Sequence, residues 1–154
     1  MKRQFPFLKD FRKIRGVDGC FNLIDDGLPL DLPDEAGVYI IETVDKFVFS
    51  YPKGKSSVIY IGKSDHLRQR LREHRTELRN LIETSGDYGM AKDQPWVCSR
   101  YQYMYYHGKN AKVYYYKCLK KQEAKELEAT IMWAFYRKYR ALPVGNGAKS
   151  YAKE

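Results

Sequence analysis

The sequence changes its period across Gly62. "VIYIG" (Val58–Gly62) is a β-branched and aromatic run that reads as a strand. A few residues later Leu67, Leu71, Leu78 and Ile82 fall at i, i+4, i+11 and i+15, one face of a helix. Arg68, Arg72, Arg75 and Arg79 form a separate basic stripe, and Arg70 and His74 stand at the other border of the leucine face. A short apolar strand feeding an amphipathic helix must cover that helix face with a sheet. The helix therefore has three sectors: core, basic stripe, and an Arg–His pair turned partly inward.

The flanking segments extend this pattern. "DDGLPLDLPDEAG" is turn-rich and delivers the chain into "VYIIET", a second strand. "KFVFSY" extends that strand or forms another, and "PKGKSS" turns into "VIYIG", so the two strands are expected to be antiparallel. "RYQYMYY", "HGKN" and "AKVYYYKCL" read as strand, turn and strand. A helix is expected from about Gln122 to Arg140, with Ala124, Leu127, Ile131 and Phe135 as its apolar stripe and Pro143 and Gly145 ending it. The expected order is β-β-α-β-β-α. The fold class is α+β, a small antiparallel sheet of three core strands plus a hairpin elaboration, flanked by helices. Residues 1–33 read as a basic N-terminal arm followed by an acidic, turn-rich segment. The folded domain is expected over 34–147, with a short tail over 148–154.

Charge says what such a domain meets. The 154 residues suit one domain, and their net charge is +9. Between Val17 and Asp45 there are eight acids and no Lys or Arg, which leaves +17 on the remainder. A remainder so basic suits a polyanion, because displacing counterions from phosphates drives binding. No apolar run is long enough for a signal peptide or a membrane span, so a cytoplasmic protein is expected. Cys20, Cys98 and Cys118 are scattered and odd in number, which argues against a disulfide framework.

One residue breaks the last helix's pattern. Glu128 falls within the arc of Leu127, Ile131 and Phe135, where a carboxylate is costly unless paired or bound to a cation. A structural ion pair and a hard divalent metal both answer that requirement.

"GVY" (Gly37–Tyr39), "YIG" (Tyr60–Gly62), Arg70, His74, Glu128 in "ELEATIM" and Asn146 closing "PVGN" follow one another in an order that resembles the GIY-YIG nuclease domain. The resemblance spans about Asp34 to Asn146. It implies a metal-dependent endonuclease that cuts DNA, with Tyr39, Tyr60, Arg70, His74, Glu128 and Asn146 as the catalytic set. Glu128 would hold one divalent ion, Mg²⁺ or Mn²⁺, and Arg70 the scissile phosphate. A water would attack in line, its proton taken by one of the tyrosines or by His74. Gly37 and Gly62 are expected as structural turns, Gly62 where the chain passes close to bound backbone. Lys63 and the arginine stripe, Arg68, Arg72, Arg75 and Arg79, are expected to contact nucleic acid. His66 reads as an exposed loop residue.

Twenty residues separate Tyr39 from Tyr60, more than the family usually has, and a hairpin inserted around Asp45–Ser57 accounts for them. A non-catalytic nucleic-acid-binding module of the same fold is the alternative. Retention of both Arg70 and Glu128 favours the enzyme. No small-molecule cofactor is expected, and a protein partner or an oligomer is left open.

Overall fold

The computed structural model describes residues 5–9, 14–43, 48–84 and 111–146. They form strands β1 (Gly19–Asn22), β2 (Gly37–Thr43), β3 (Phe49–Tyr51), β4 (Gly54–Ser56) and β5 (Val58–Ser64), helix α1 (Leu67–Thr84), strand β6 (Ala111–Lys117) and helix α2 (Lys121–Tyr139). A short 3-10 turn at Pro6–Leu8 precedes them. The main sheet has the order β1-β6-β2-β5 and every pair is antiparallel. The α+β class expected from the sequence is the one observed.

β2 is central, and every one of its residues is buried. That is why "GVYIIET" shows no polar alternation: a strand covered on both faces reads as a continuous apolar run. Val38 and Ile40 join a core with Phe5, Phe7, Ile131 and Phe135, under α2. Tyr39 and Ile41 join the other core with Leu67, Leu71 and Leu78, under α1. The leucine face of α1 is thus the one that docks on the sheet. Removing one of these large side chains, for example Phe135→Ala, costs on the order of 3–5 kcal/mol.

Three features differ from expectation. The sheet gains a fourth strand, β1, which pairs with β6. Only Phe21 of its four residues is buried, so it carries no alternation to read; pairing with β6 and the packing of Phe21 hold it. The N-terminal segment, expected to stand outside the domain, inserts Phe5, Phe7, Leu8, Ile14 and Val17 into the core beneath α2. And α2, expected to be ended by Pro143 and Gly145, is closed before them by Arg140, which takes φ 60°, a left-handed conformation.

The inserted hairpin is present as β3 and β4, paired Phe49 with Ser56 and Tyr51 with Gly54. It docks on the end of α2, where the Lys53 amide donates to the Tyr139 carbonyl. The tyrosine-rich strand expected at Tyr101–Tyr106 lies outside the described residues; its expected partner is the observed β6. No helix among the described residues is long and apolar enough to cross a membrane.

Candidate active site

The pairing of β2 with β5 decides which side chains meet. Tyr39 lies opposite Gly62 and Ile41 opposite Tyr60, so both tyrosines project from the α1 face of the sheet. Their ring centroids are 5.9 Å apart. Gly62 is the reason they fit. A Cβ there would lie 2.6 Å from the Tyr39 hydroxyl oxygen and 2.6 Å from a Tyr60 ring carbon. Gly37 is equally confined, its absent Cβ falling 2.6 Å from Leu67 Cδ2 and 2.7 Å from the Tyr116 carbonyl oxygen. The expectation that these glycines form turns is therefore corrected. Both sit inside strands, and it is close approach, not a turn, that needs glycine.

α1 delivers the third group. His74 falls at i+3 from Leu71 and four residues before Leu78, in the middle of the apolar face, and it is fully buried. Its Nε2 and the Tyr39 hydroxyl share a hydrogen bond of 2.8 Å. The imidazole is 5.2 Å from the Tyr39 ring and 5.6 Å from the Tyr60 ring, centroid to centroid. One turn earlier, Arg70 is 27% exposed and pairs with Glu73 at 2.9 Å. Burial works against its charge, but Tyr39, Glu73 and Tyr60 outweigh burial and hold the guanidinium proton more firmly than usual. Arg70 thus stands within hydrogen-bonding reach of Tyr39 and keeps one edge toward solvent. Tyr39, Tyr60, Arg70 and His74 form one cluster, buried at Tyr39 and His74 and reaching solvent at Tyr60 and Arg70.

The other expected site residues fall elsewhere. The Asn146 side chain pairs with the main chain of β5, accepting from the Ile61 amide at 3.0 Å and donating to the Ile61 carbonyl at 2.8 Å. The Gly145 amide adds a bond to the Ile59 carbonyl. The loop after α2 therefore caps the exposed edge of β5, the strand that carries Tyr60 and Gly62. Glu128 lies half-buried on α2, in the layer across the sheet from His74. Among the described residues no three His, Cys, Asp or Glu side chains come together, so these residues build no enclosing metal cage. A single carboxylate suits a hard ion such as Mg²⁺, which takes one or two carboxylates and keeps several waters.

The basic stripe of α1 divides into two pairs. The Arg68 guanidinium donates to the carbonyls of Pro29 and Leu32, and Arg75 to that of Leu23. These two bind the acidic, turn-rich segment to the helix. Arg72, Arg79 and Lys63 are exposed, as is His66. Sequence reasoning also passed over Glu42, a buried carboxylate that accepts from the Tyr114 hydroxyl at 2.6 Å and the Ser57 hydroxyl at 2.7 Å. Its signal was an acid inside an otherwise apolar strand.

The family model of the GIY-YIG catalytic domain matches residues 35–140. No curated protein and no solved structure matches the chain. The matched span begins just before β2 and ends at the close of α2, and so contains both motif tyrosines, Arg70, His74 and Glu128; the chain belongs to the GIY-YIG family of nucleases.

Proposed function

We propose that this chain is a divalent-metal-dependent endonuclease that hydrolyses DNA phosphodiester bonds by in-line attack of water. The observation that carries the reading is the buried 2.8 Å hydrogen bond between Tyr39 and His74, with Arg70 against the tyrosine. A free tyrosine holds its proton to about pH 10 and is a poor base. With His74 neutral and protonated on Nδ1, the Tyr39 hydroxyl donates to Nε2, and Arg70 stands ready to stabilise negative charge on the oxygen left behind. As the water oxygen bonds to phosphorus and the bond to the leaving oxygen breaks, the Tyr39 oxygen takes the water's proton while its own proton passes to His74 Nε2. The leaving oxygen takes a proton from solvent, and the imidazolium proton returns by way of Tyr39 once the product has left. Arg70 offsets the charge that builds on the phosphoryl oxygens. Tyr60 packs against both Tyr39 and His74 and fixes their rings.

Glu128 is the residue that would hold the metal. When bound, a divalent ion supplies Lewis-acid stabilisation of the leaving oxygen. Asn146 acts in this reading as a positioning residue: it holds β5, and β5 holds Tyr60 and Gly62. Lys63, Arg72 and Arg79 are exposed and serve as phosphate contacts.

Nicking of supercoiled plasmid with Mg²⁺, against the same reaction in EDTA, tests the reading. Relaxed circles are expected only with Mg²⁺. Plasmid that is bound yet left uncut under both conditions would favour the non-catalytic binding module.

A further inference from the structure

The β3–β4 hairpin and the last turns of α2 carry features that the active site does not use. Trp133 is 54% exposed on the outer side of α2 and stacks on Tyr136, with ring centroids 6.0 Å apart and planes inclined by 24°. Arg137, one turn on, and Arg140, at the cap that closes the helix, are also exposed. The hairpin brings Lys53 and Lys55, both exposed, to this end of the helix. The hairpin tip is anchored there: the Lys53 amide donates to the Tyr139 carbonyl at 3.2 Å, and a Cβ on Gly54, at φ +142°, would stand 3.4 Å from the Tyr139 ring. No acid occurs from Phe49 to Val58 or from Ala129 to Asn146. Among the described residues none of Lys53, Lys55, Arg137 and Arg140 is in an ion pair.

Cations in the last turn of a helix complement its dipole, and that alone explains Arg137 and Arg140 as a solvated face. It explains neither the two lysines brought in by a separate hairpin nor an exposed tryptophan stacked on Tyr136, one turn before Arg137. Cations interleaved with an exposed aromatic platform are what a nucleic-acid strand requires: charge for the backbone and a ring face for a base. We propose that the hairpin tip and the C-terminal half of α2 form a second nucleic-acid-binding surface, on which Lys53, Lys55, Arg137 and Arg140 hold the phosphates of a strand flanking the cut and Trp133 stacks an unpaired base. The inference rests on nucleic acid being the substrate. It adds a spacing: Arg137 lies nine residues beyond Glu128, about 14 Å along the helix, or roughly four nucleotide steps of about 3.4 Å. The inserted hairpin thereby acquires a role, gripping substrate at a distance from the reacting phosphate.

The test uses the full chain carrying Trp96→Phe, so that emission reports Trp133. Titration with the oligonucleotide dT20 is expected to quench that emission. Lys53→Ala together with Lys55→Ala should lower the slope of log affinity against log salt by roughly 1.4, about 0.7 for each phosphate of a single strand that is no longer neutralised. Melting temperatures of the variants should match that of the parent. Absent quenching, or an unchanged salt slope, overturns the proposal. So does self-association of the parent that Trp133→Ala abolishes, which would assign the patch to a second copy of the chain. If plasmid is nicked but this patch is silent, the surface alone is wrong. If dT20 binds here and nothing is ever cut, the surface stands and the nuclease reading falls. If no nucleic acid binds at all, both fall.

Discussion

The Tyr39 hydroxyl and His74 Nε2 meet at 2.8 Å in the buried layer between sheet and helix, though 35 positions separate them in the chain. β2 supplies one partner and α1 the other, and neither element is covered without the other. The same packing that hides the leucine face of α1 therefore sets the distance between hydroxyl and imidazole. A buried polar pair of this kind is held by its own hydrogen bond, because leaving either group unmatched costs about 1–3 kcal/mol.

Gly62→Ala is expected to disturb both motif tyrosines at once. The added Cβ enters space held by the Tyr39 hydroxyl and the Tyr60 ring, each 2.6 Å away. Overpacking of this kind costs roughly 1–3 kcal/mol. Thermal melts should show the loss, and the nicking rate should fall at least tenfold even at temperatures where the variant is folded. Wild-type nicking by this variant would mean that the tyrosine geometry does not govern the rate.

Asn146→Ala separates support from chemistry. The substitution leaves the Ile61 amide and carbonyl without their side-chain partner, at about 1–3 kcal/mol for each buried group left unmatched. Urea denaturation should show a lower midpoint. A variant of full stability that has lost cleavage would instead place Asn146 in the chemistry.

The four arginines of α1 should separate by pairs. Arg72→Ala with Arg79→Ala should reduce the salt slope of duplex binding by about two, roughly one for each phosphate no longer held, with stability unchanged. Arg68→Ala with Arg75→Ala should lower the melting temperature, because those guanidinium groups hold the carbonyls of Leu23, Pro29 and Leu32. Equal salt effects from the two pairs would show that all four face the substrate.

Stability toward acid should depend on Asp18. Burial opposes its charge, but the Lys117 amide and Arg15 outweigh burial and hold its carboxyl below the ordinary 3.8. A depressed folded-state pKa gives a contribution present above the unfolded value and lost as pH falls through the folded one. Asp18→Asn should accordingly lower the urea midpoint at pH 7 and bring it closer to wild type below about pH 3. A difference that stays constant down to pH 2 would contradict this account.

Much of this was legible in the sequence because the site is made by local patterns. "GVY" and "YIG" are strand segments whose period of two puts the tyrosines on one face once the strands pair, and the α1 leucines announced the helix. His74 was readable more exactly than the border position first suggests: its spacing from Leu71 and Leu78 places it at the centre of the buried face. What escaped were contacts between distant segments. Nothing local in "GCFN" says strand, since Gly19–Asn22 is ordered by β6. Phe5 and Phe7 looked like part of a basic arm until α2 offered them a core. Arg68 and Arg75 carry the same period as Arg72 and Arg79, and only the returning acidic segment tells the two pairs apart.

The central claim is that Tyr39 is the general base of a metal-dependent hydrolysis, and its boldest part is that Glu128, carried by the helix on the other face of the sheet, holds the ion for it. The rate of Mg²⁺-dependent first-strand nicking, measured for wild type, Tyr39→Phe and Glu128→Gln at saturating enzyme, tests it most directly. The account predicts that wild type nicks and that Tyr39→Phe is slower by about 10²–10⁴, the usual worth of a positioned general base. Glu128→Gln should fail to nick while still binding the plasmid. Wild-type rates from either variant would contradict the account.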